Sequence, residues 1–348
     1  MTGDRLVAFA RDVIDRARAF PPDRLTTFTA NVAGITVQAG ASDPALAALY
    51  QARLGLPLSP GPDSGPEVRI VSLSAGDLGF SRPPVLTAHG KEAKWFHALL
   101  AEAGLKGPVL HDRRVWRLYD PSDGFGVQLV GETGDLPPWD AGSPFLNIIR
   151  FALAERGLRL CHAGSLADNG RGLLLVGDGG AGKSATTLSG IVAGLSTVGD
   201  DYIAVQAGEP FVARPLFRIA KQAPAFLKRL GDQPAALAAE RAVNWQGKIE
   251  LNLEEMYPGR LVDEMAVTSI VVPRVTGRDG GPKLDPVPPA IALRAAIRTN
   301  LFQHGGEPDD GLSFFARLMR VPCYQLELGT DLRANAMVLK GLIHGEAM

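Results

Sequence analysis

The chain has 348 residues, which is enough for two domains of ordinary size, each with its own core. Its 36 basic and 37 acidic residues give a net charge of −1, which excludes nucleic-acid binding through a broadly basic surface. The 2 cysteines show no C-x-x-C spacing, and no apolar run approaches the ~18 residues of a membrane span. The sequence therefore predicts a cytoplasmic protein without a disulfide framework, a zinc site or a membrane anchor.

The first part of the chain predicts a small α+β domain over residues 1–140. Its predicted elements are helices at 6–20 and 44–54 and strands at 28–38, 67–73, 114–119 and 124–130. Turn residues at 120–123 join the last two strands. A Gly- and Pro-containing segment at 134–140 marks the predicted boundary.

The second part, residues 141–348, predicts an α/β domain in which strands and helices alternate. Its predicted elements are helices at 144–155, 289–302 and 332–343 and strands at 158–167, 172–176, 195–205, 267–272 and 324–328. The strands at 158–167 and 172–176 are expected to form a hairpin through the turn 168–171. Two Gly-rich loops, 276–282 and 305–311, are candidates for lids over a substrate.

A complete phosphate-loop motif follows the apolar strand at 172–176. Residues 177–184 read G-D-G-G-A-G-K-S and match G-x-x-x-x-G-K-[ST], with a helical pattern after them. Glycines permit the backbone to turn its N–H groups onto phosphate oxygens, Lys183 can reach the β- and γ-phosphates, and Ser184 can ligate Mg²⁺. The predicted nucleotide-binding residues are Gly177, Asp178, Gly179, Gly180, Ala181, Gly182, Lys183, Ser184 and Ala185.

Two adjacent carboxylates, Asp200 and Asp201, lie one helix and one turn beyond this loop. Adjacent residues of a strand point to opposite faces, so one carboxylate can meet Mg²⁺ while the other accepts the proton of an attacking hydroxyl. Ordinary turn chemistry is the alternative for the pair. His162 lies in the strand that precedes the loop's own strand, where a satisfied core histidine is the alternative to a site residue.

Together these elements resemble the catalytic domain of HPr kinase/phosphorylase, a bacterial serine kinase whose phosphate-loop fold is similar to that of phosphoenolpyruvate carboxykinase. The resemblance is carried by His162, the loop 177–184 and the pair Asp200-Asp201. It implies a general-base role for Asp200 and a magnesium contact for Asp201, and it makes Asp200, His162 and Lys183 the catalytic candidates. Ser184, Asp201 and Asp200 are then the metal candidates, and His162 is expected to orient Asp200 or the acceptor.

One signature of that family is altered here. The best counterpart of its E-x-R-G-L-G-I-I-N-V segment is 244–253, which keeps Gly247 and Asn252 but has Asn244 and Gln246 where the family has Glu and Arg. The chain therefore looks more like the divergent HPr-kinase-like proteins of proteobacteria. Arg218 and Lys221 are further basic candidates, which would share a face if their segment were helical.

The sequence thus predicts Mg²⁺-dependent transfer of the ATP γ-phosphoryl group to a hydroxyl, with a serine of a protein or peptide as the favoured acceptor. A small-molecule hydroxyl remains an alternative acceptor. A nucleotide hydrolase or switch that acts on a protein partner, and a binding module without turnover, are the alternatives from other classes. A homo-oligomer is compatible with the resemblance.

Overall fold

The computed structural model describes residues 3–58, 65–81, 91–107, 115–276, 280–301 and 308–346. The chain is a mixed α/β protein that divides into two compact units, Met1–Gly157 and Leu158–Met348, each built on a mixed sheet. The proposed lid loops at 276–282 and 305–311 lie partly outside the described residues. No helix in the described ranges is long and apolar enough to cross a membrane.

The first unit packs helices on a sheet of order β3-β1-β2-β4-β6-β5. The pairs β2–β4 and β4–β6 are parallel, and the remaining pairs are antiparallel. Its described helices are α1 (Gly3–Arg18), α2 (Pro44–Gln51), α3 (Lys91–Glu102) and α4 (Leu146–Glu155), and its strands are β1 (Thr26–Val32), β2 (Ile35–Ala41), β3 (Leu56–Pro57), β4 (Val68–Ser74), β5 (Val115–Asp120) and β6 (Phe125–Val130). The apolar stripe of α1 enters a core with Trp116, Leu118 and Val127.

The predicted single strand at 28–38 is wrong, because the structure has a hairpin there. Ala33 and Gly34 both have positive φ, 57° and 88°, between β1 and β2. Two such residues form the tight turn whose twist suits antiparallel strands. The apolar alternation shifts from even-numbered to odd-numbered positions at this turn, and the single-strand interpretation overlooked that shift. The predicted hairpin of β5 and β6 is confirmed.

Helix α4 belongs to the first unit, although the sequence places the boundary before it, at residue 140. Phe145 contacts Tyr50 with ring centroids 4.7 Å apart, and Phe151 stacks on Tyr119 at 6.4 Å. These aromatic contacts tie α4 to the sheet and helices of the first unit, and the compact units divide after Gly157.

The second unit has helices on both faces of its sheet. Its described helices are α5 (Lys183–Val192), α6 (Pro224–Leu227), α7 (Asp232–Glu240), α8 (Leu253–Met256), α9 (Pro289–Asn300), α10 (Pro308–Leu318) and α11 (Leu332–His344), and its strands are β7 (Leu158–His162), β8 (Gly164–Asp168), β9 (Arg171–Leu175), β10 (Tyr202–Gln206), β11 (Phe211–Pro215), β12 (Ile219–Gln222), β13 (Ile249–Asn252), β14 (Met265–Val275), β15 (Lys283–Pro286) and β16 (Cys323–Leu328). Strand β14 pairs in parallel with β9 and β16.

Strand β9 shows how the sequence builds these layers. Leu174 packs in the core that includes side chains of α9 and α10, while Leu173 and Leu175 pack in the core that includes α11. A continuous apolar run is what a strand needs when both of its faces are buried. The predicted hairpin of β8 and β9 is confirmed, with Asn169 and Gly170 at positive φ in the turn.

Two predicted strands are shorter than expected. The strand predicted at 158–167 breaks at Ala163 into β7, which pairs with β10, and β8, which pairs with β9. The strand predicted at 195–205 begins only at Tyr202, so Asp200 and Asp201 precede it. The alternation argument for the pair is therefore wrong: Asp201 has φ +74°, outside the extended region.

Candidate functional site

Two strand pairings meet at the junction of β7 and β8. His162 lies opposite Tyr202 in the β7–β10 pair, and Gly164 lies opposite Leu175 in the β8–β9 pair. Because Leu175 is the last residue of β9, this junction brings the end of β9 close to the aspartates that precede β10. The loop 176–182 then leads from β9 into α5.

Three of the four glycines in the loop have positive φ. Gly177, Gly180 and Gly182 have φ values of 150°, 84° and 102°, which side chains strongly disfavour. A Cβ on Gly182 would also lie 2.6 Å from Cδ1 of Leu328. Lys183 is the first residue of α5, so the motif places its basic side chain at the positive end of the helix dipole.

The amine of Lys183 folds back onto the loop. It donates to the carbonyl oxygens of Gly177 at 2.7 Å and Asp178 at 3.2 Å, and the residue is 7% exposed. Burial lowers the pKa of Lys183, while the charges of Asp200, Asp201 and Asp178 act in the opposite direction. The same N–H donors can bind phosphate oxygens once these carbonyls release them.

Asp200 is a buried carboxylate without a hydrogen-bond partner in the described ranges. It is 2% exposed, and neither carboxylate oxygen meets a hydrogen-bond partner among the described residues. Burial, together with the charge of Asp201, raises the pKa of Asp200 to about 6, although Ser184, Lys183 and Lys248 act in the opposite direction. Ser184 lies close enough to offset part of the rise but does not reach hydrogen-bond geometry.

Asp201 has the opposite environment. Its Oδ1 lies 2.9 Å from Nε2 of His162, and its Oδ2 lies 3.3 Å from Nζ of Lys221. Burial alone would raise the pKa of Asp201, but the hydrogen bond from His162 and the charge of Lys221 hold it well below the usual range. The two neighbouring carboxylates are thus held in different states, one poised to titrate and the other firmly ionised.

His162 pairs with Asp201, whereas the sequence analysis expects it to orient Asp200 or the acceptor. Its backbone N–H donates to Oδ1 of Asn300 at 2.7 Å, and its ring lies 5.4 Å from the ring of Tyr202. Nδ1 of His162 is buried and has no hydrogen-bond partner within the described ranges. His162 therefore lies beside Asp201, and its backbone is held by strand β7 and by Asn300 of α9.

Lys221 reaches the site from a strand, so the helical interpretation of its segment is wrong. Strand β12 pairs with β13, and Lys221 lies opposite Glu250.

Three residues near the site, Asn300, Arg298 and Thr187, were not predicted from the sequence. Arg298 forms an exposed ion pair with Asp178 at 3.1 Å. Of these, only Thr187 had a usable signal, because it lies one helical turn beyond Ser184.

The donor set suits a hard cation that brings further ligands with it. Within the described ranges, no group of three or more His, Cys, Asp or Glu converges as a complete metal site. Mg²⁺ is commonly held by one or two carboxylates together with phosphate oxygens and water. The unpaired oxygens of Asp200, with the nearby Ser184 hydroxyl, fit that pattern.

Comparisons with known proteins add little to this geometry. No protein-family model and no curated protein matches the chain. A solved structure of the Hpr(Ser) kinase/phosphatase from Coxiella burnetii is similar to 54% of this chain and 99% of its own, with 12% sequence identity and a TM-score of 0.29. A likeness of this strength carries no argument about activity.

Proposed function

We propose that the chain is an ATP-dependent kinase that transfers the γ-phosphoryl group, with Mg²⁺, to a hydroxyl of a protein or peptide serine. The observation that carries this proposal is Asp200, a buried carboxylate with unpaired oxygens beside Ser184 and Lys183 at the start of α5. A buried carboxylate without hydrogen-bond donors is costly, so its presence favours a ligand that supplies positive charge.

The residues of the site divide the work of binding. The glycine-rich loop and Lys183 bind the triphosphate, and Ser184 with one oxygen of Asp200 holds the cation. Bound there, Mg²⁺ supplies charge neutralisation at the phosphate oxygens. Lys183 must leave the carbonyls of Gly177 and Asp178 to do this, which couples nucleotide binding to a rearrangement of the loop.

The two aspartates have separate chemical roles in this proposal. Burial raises the pKa of Asp200 to about 6, which still leaves it ionised at neutral pH. The oxygen of Asp200 that does not bind the cation can then accept the proton of a serine hydroxyl. Asp201 is a poor base because His162 and Lys221 stabilise its charge. It acts instead as an ionic anchor that orients His162 and Lys221 beside the acceptor position.

The test measures label transfer from γ-labelled ATP to serine-containing proteins and peptides, together with release of free phosphate. Asp200→Asn should still bind ATP through the loop and Lys183, bind Mg²⁺ more weakly, and reduce transfer by about 10³-fold, the scale of a lost general base. Lys183→Met should weaken MgATP binding itself. Asp285→Asn, which changes an exposed carboxylate on β15, is the matched control and should leave both measurements unchanged.

Each alternative has its own result. Free phosphate without label on any protein, peptide or small hydroxyl compound would favour a hydrolase or switch. Transfer confined to small hydroxyl compounds would keep the kinase and remove the polypeptide acceptor. Unimpaired transfer by Asp200→Asn would overturn its assignment as the base.

A further inference from the structure

Helix α5 carries buried hydroxyl groups that do not bond in the usual way. Ser189 donates to the carbonyl oxygen of Ala185 at 2.8 Å, the common arrangement for a hydroxyl within a helix. Thr186 and Thr187 are 2% and 0% exposed, yet neither Oγ1 has a hydrogen-bond partner in the described part of the chain. Because burial of an unbonded hydroxyl costs free energy, these two groups need an explanation.

The hydroxyl of Thr187 lies close to Gly164. A Cβ on Gly164 would lie 2.4 Å from Oγ1 of Thr187 and 3.5 Å from Oδ1 of Asp200. The hydroxyl and the carboxylate therefore border the same small space, which exists because residue 164 has no side chain. The φ of Gly164 is not positive, so close approach is the reason for glycine here.

The helix connects this space to the proposed cation site. Thr187 follows Ser184 by three residues, so both side chains lie on one face of α5. Asp200 interacts with Ser184 on one side and borders Thr187 on the other. A carboxylate that binds a cation with one oxygen retains lone pairs on the other, and a hydroxyl is a suitable donor for them.

We propose that Thr187 is a positioning residue, whose hydroxyl donates to Oδ1 of Asp200 when that carboxylate binds a divalent cation, with Gly164 keeping the space open. This inference rests on the proposed function, because the cation arrives with the nucleotide. The hydrogen bond turns the second oxygen of Asp200 toward Ser184. Thr187 itself touches neither nucleotide nor acceptor.

The test measures Mn²⁺ affinity by electron paramagnetic resonance, with the full chain and ADP, and needs no turnover. Thr187→Val keeps the side-chain shape but removes the donor, and it should weaken Mn²⁺ binding about tenfold, the lower end of losses for such supporting groups. Thr187→Ser retains the hydroxyl and should stay within about twofold of the original chain. Thr186→Val removes a hydroxyl that is equally buried and unpartnered, and it should leave the affinity unchanged.

Thermal unfolding without metal separates positioning from a structural role. Both valine variants should keep or raise Tm, because a methyl group replaces an unbonded buried hydroxyl. Gly164→Ala is the second route to the same loss of affinity, because its Cβ would displace the hydroxyl of Thr187. It also covers the case in which Thr187→Val fails to fold.

Mn²⁺ binding by the original chain distinguishes failure of the role of Thr187 from failure of the proposed function. If it binds Mn²⁺ with ADP while Thr187→Val binds equally well, or while Thr186→Val is equally impaired, the role of Thr187 is overturned and the proposed function survives. If the original chain binds no Mn²⁺ with ADP, the proposed function fails and the role of Thr187 fails with it.

Discussion

Two buried carboxylates, one in each unit, differ in the hydrogen-bond donors around them. Asp140 in the first unit is 5% exposed, and Asp200 in the second is 2% exposed. Nη2 of Arg117 donates to Asp140 at 2.6 Å, and the hydroxyl of Tyr50 and the amide of Gln128 donate to it as well. Asp200 has no such donors in the described residues.

The polar side chains around Asp140 also hydrogen-bond to one another. Gln128 accepts from Nε of Arg117 at 3.0 Å and donates to the hydroxyl of Tyr50 at 3.0 Å. Burial and the charge of Asp140 raise the pKa of Tyr50 far above its usual value, so the phenol stays a donor. A buried polar cluster with every charge paired fixes one arrangement of its strands and helices. Burial alone therefore does not distinguish the two carboxylates, whereas the presence or absence of hydrogen-bond donors does.

The largest expected effect comes from breaking the satisfied cluster. Asp140→Asn should lower the free energy of unfolding by about 3–5 kcal/mol, because it leaves the Arg117 guanidinium buried without its counter-ion. Urea unfolding followed by circular dichroism measures this, with Asp285→Asn as the exposed control. A loss below about 1 kcal/mol would show that Arg117 finds another partner, and the cluster would not be the closed network described here.

The same substitution at Asp200 should act in the opposite direction. The pKa of Asp200 rises from 3.8 to about 6, and at about 1.4 kcal/mol per pKa unit this penalises the ionised form by up to about 3 kcal/mol. Asp200→Asn should therefore raise the free energy of unfolding by about 1–3 kcal/mol at pH 8. The measurement is urea unfolding in the presence of EDTA, so that no cation stabilises the original chain. A loss of stability would mean that the carboxylate has partners in solution, and the contrast with Asp140 would disappear.

How much of this contrast a sequence can reveal differs between the two units. The motif at 177–184 has fixed spacing, so a loop between a strand and a helix that begins near Lys183 could be predicted. The burial of Arg117 could not be predicted in the same way. All the side chains of β6 and nearly all those of β5 are buried, so no alternation of polar and apolar residues separates core from surface in these strands.

The partners of Asp201 could not be predicted from the sequence either. Lys221 reaches Asp201 because its segment is a strand, and local spacing of Arg218 and Lys221 fitted a helix equally well. The pairing of His162 with Asp201 depends on the break at Ala163 and on the positive φ of Asp201, neither of which leaves a sequence pattern. Such features are set by packing between distant segments.

The smallest expected effect is a pH dependence, and its sign follows from the direction of each shift. The folded chain holds the proton of Asp200 more tightly than the unfolded chain, so this group makes stability fall as pH rises from about 4 to about 6. Asp201 behaves in the opposite way, since its pKa is lowered: its contribution is present above 3.8 and is lost as pH falls below that value. The window between pH 4 and 6 therefore isolates Asp200.

The stability difference between Asp200→Asn and the original chain should be about 0.5 kcal/mol at pH 4, about 2 kcal/mol at pH 5.5 and largest above pH 6. Urea unfolding at four pH values in EDTA measures it, and groups common to both chains cancel in the difference. A difference that stays constant from pH 4 to 7 would mean that Asp200 titrates alike in the folded and unfolded chain. The pKa of Asp200 would then be that of an exposed carboxylate. The argument that its buried charge favours a cation near the start of α5 would lose its support.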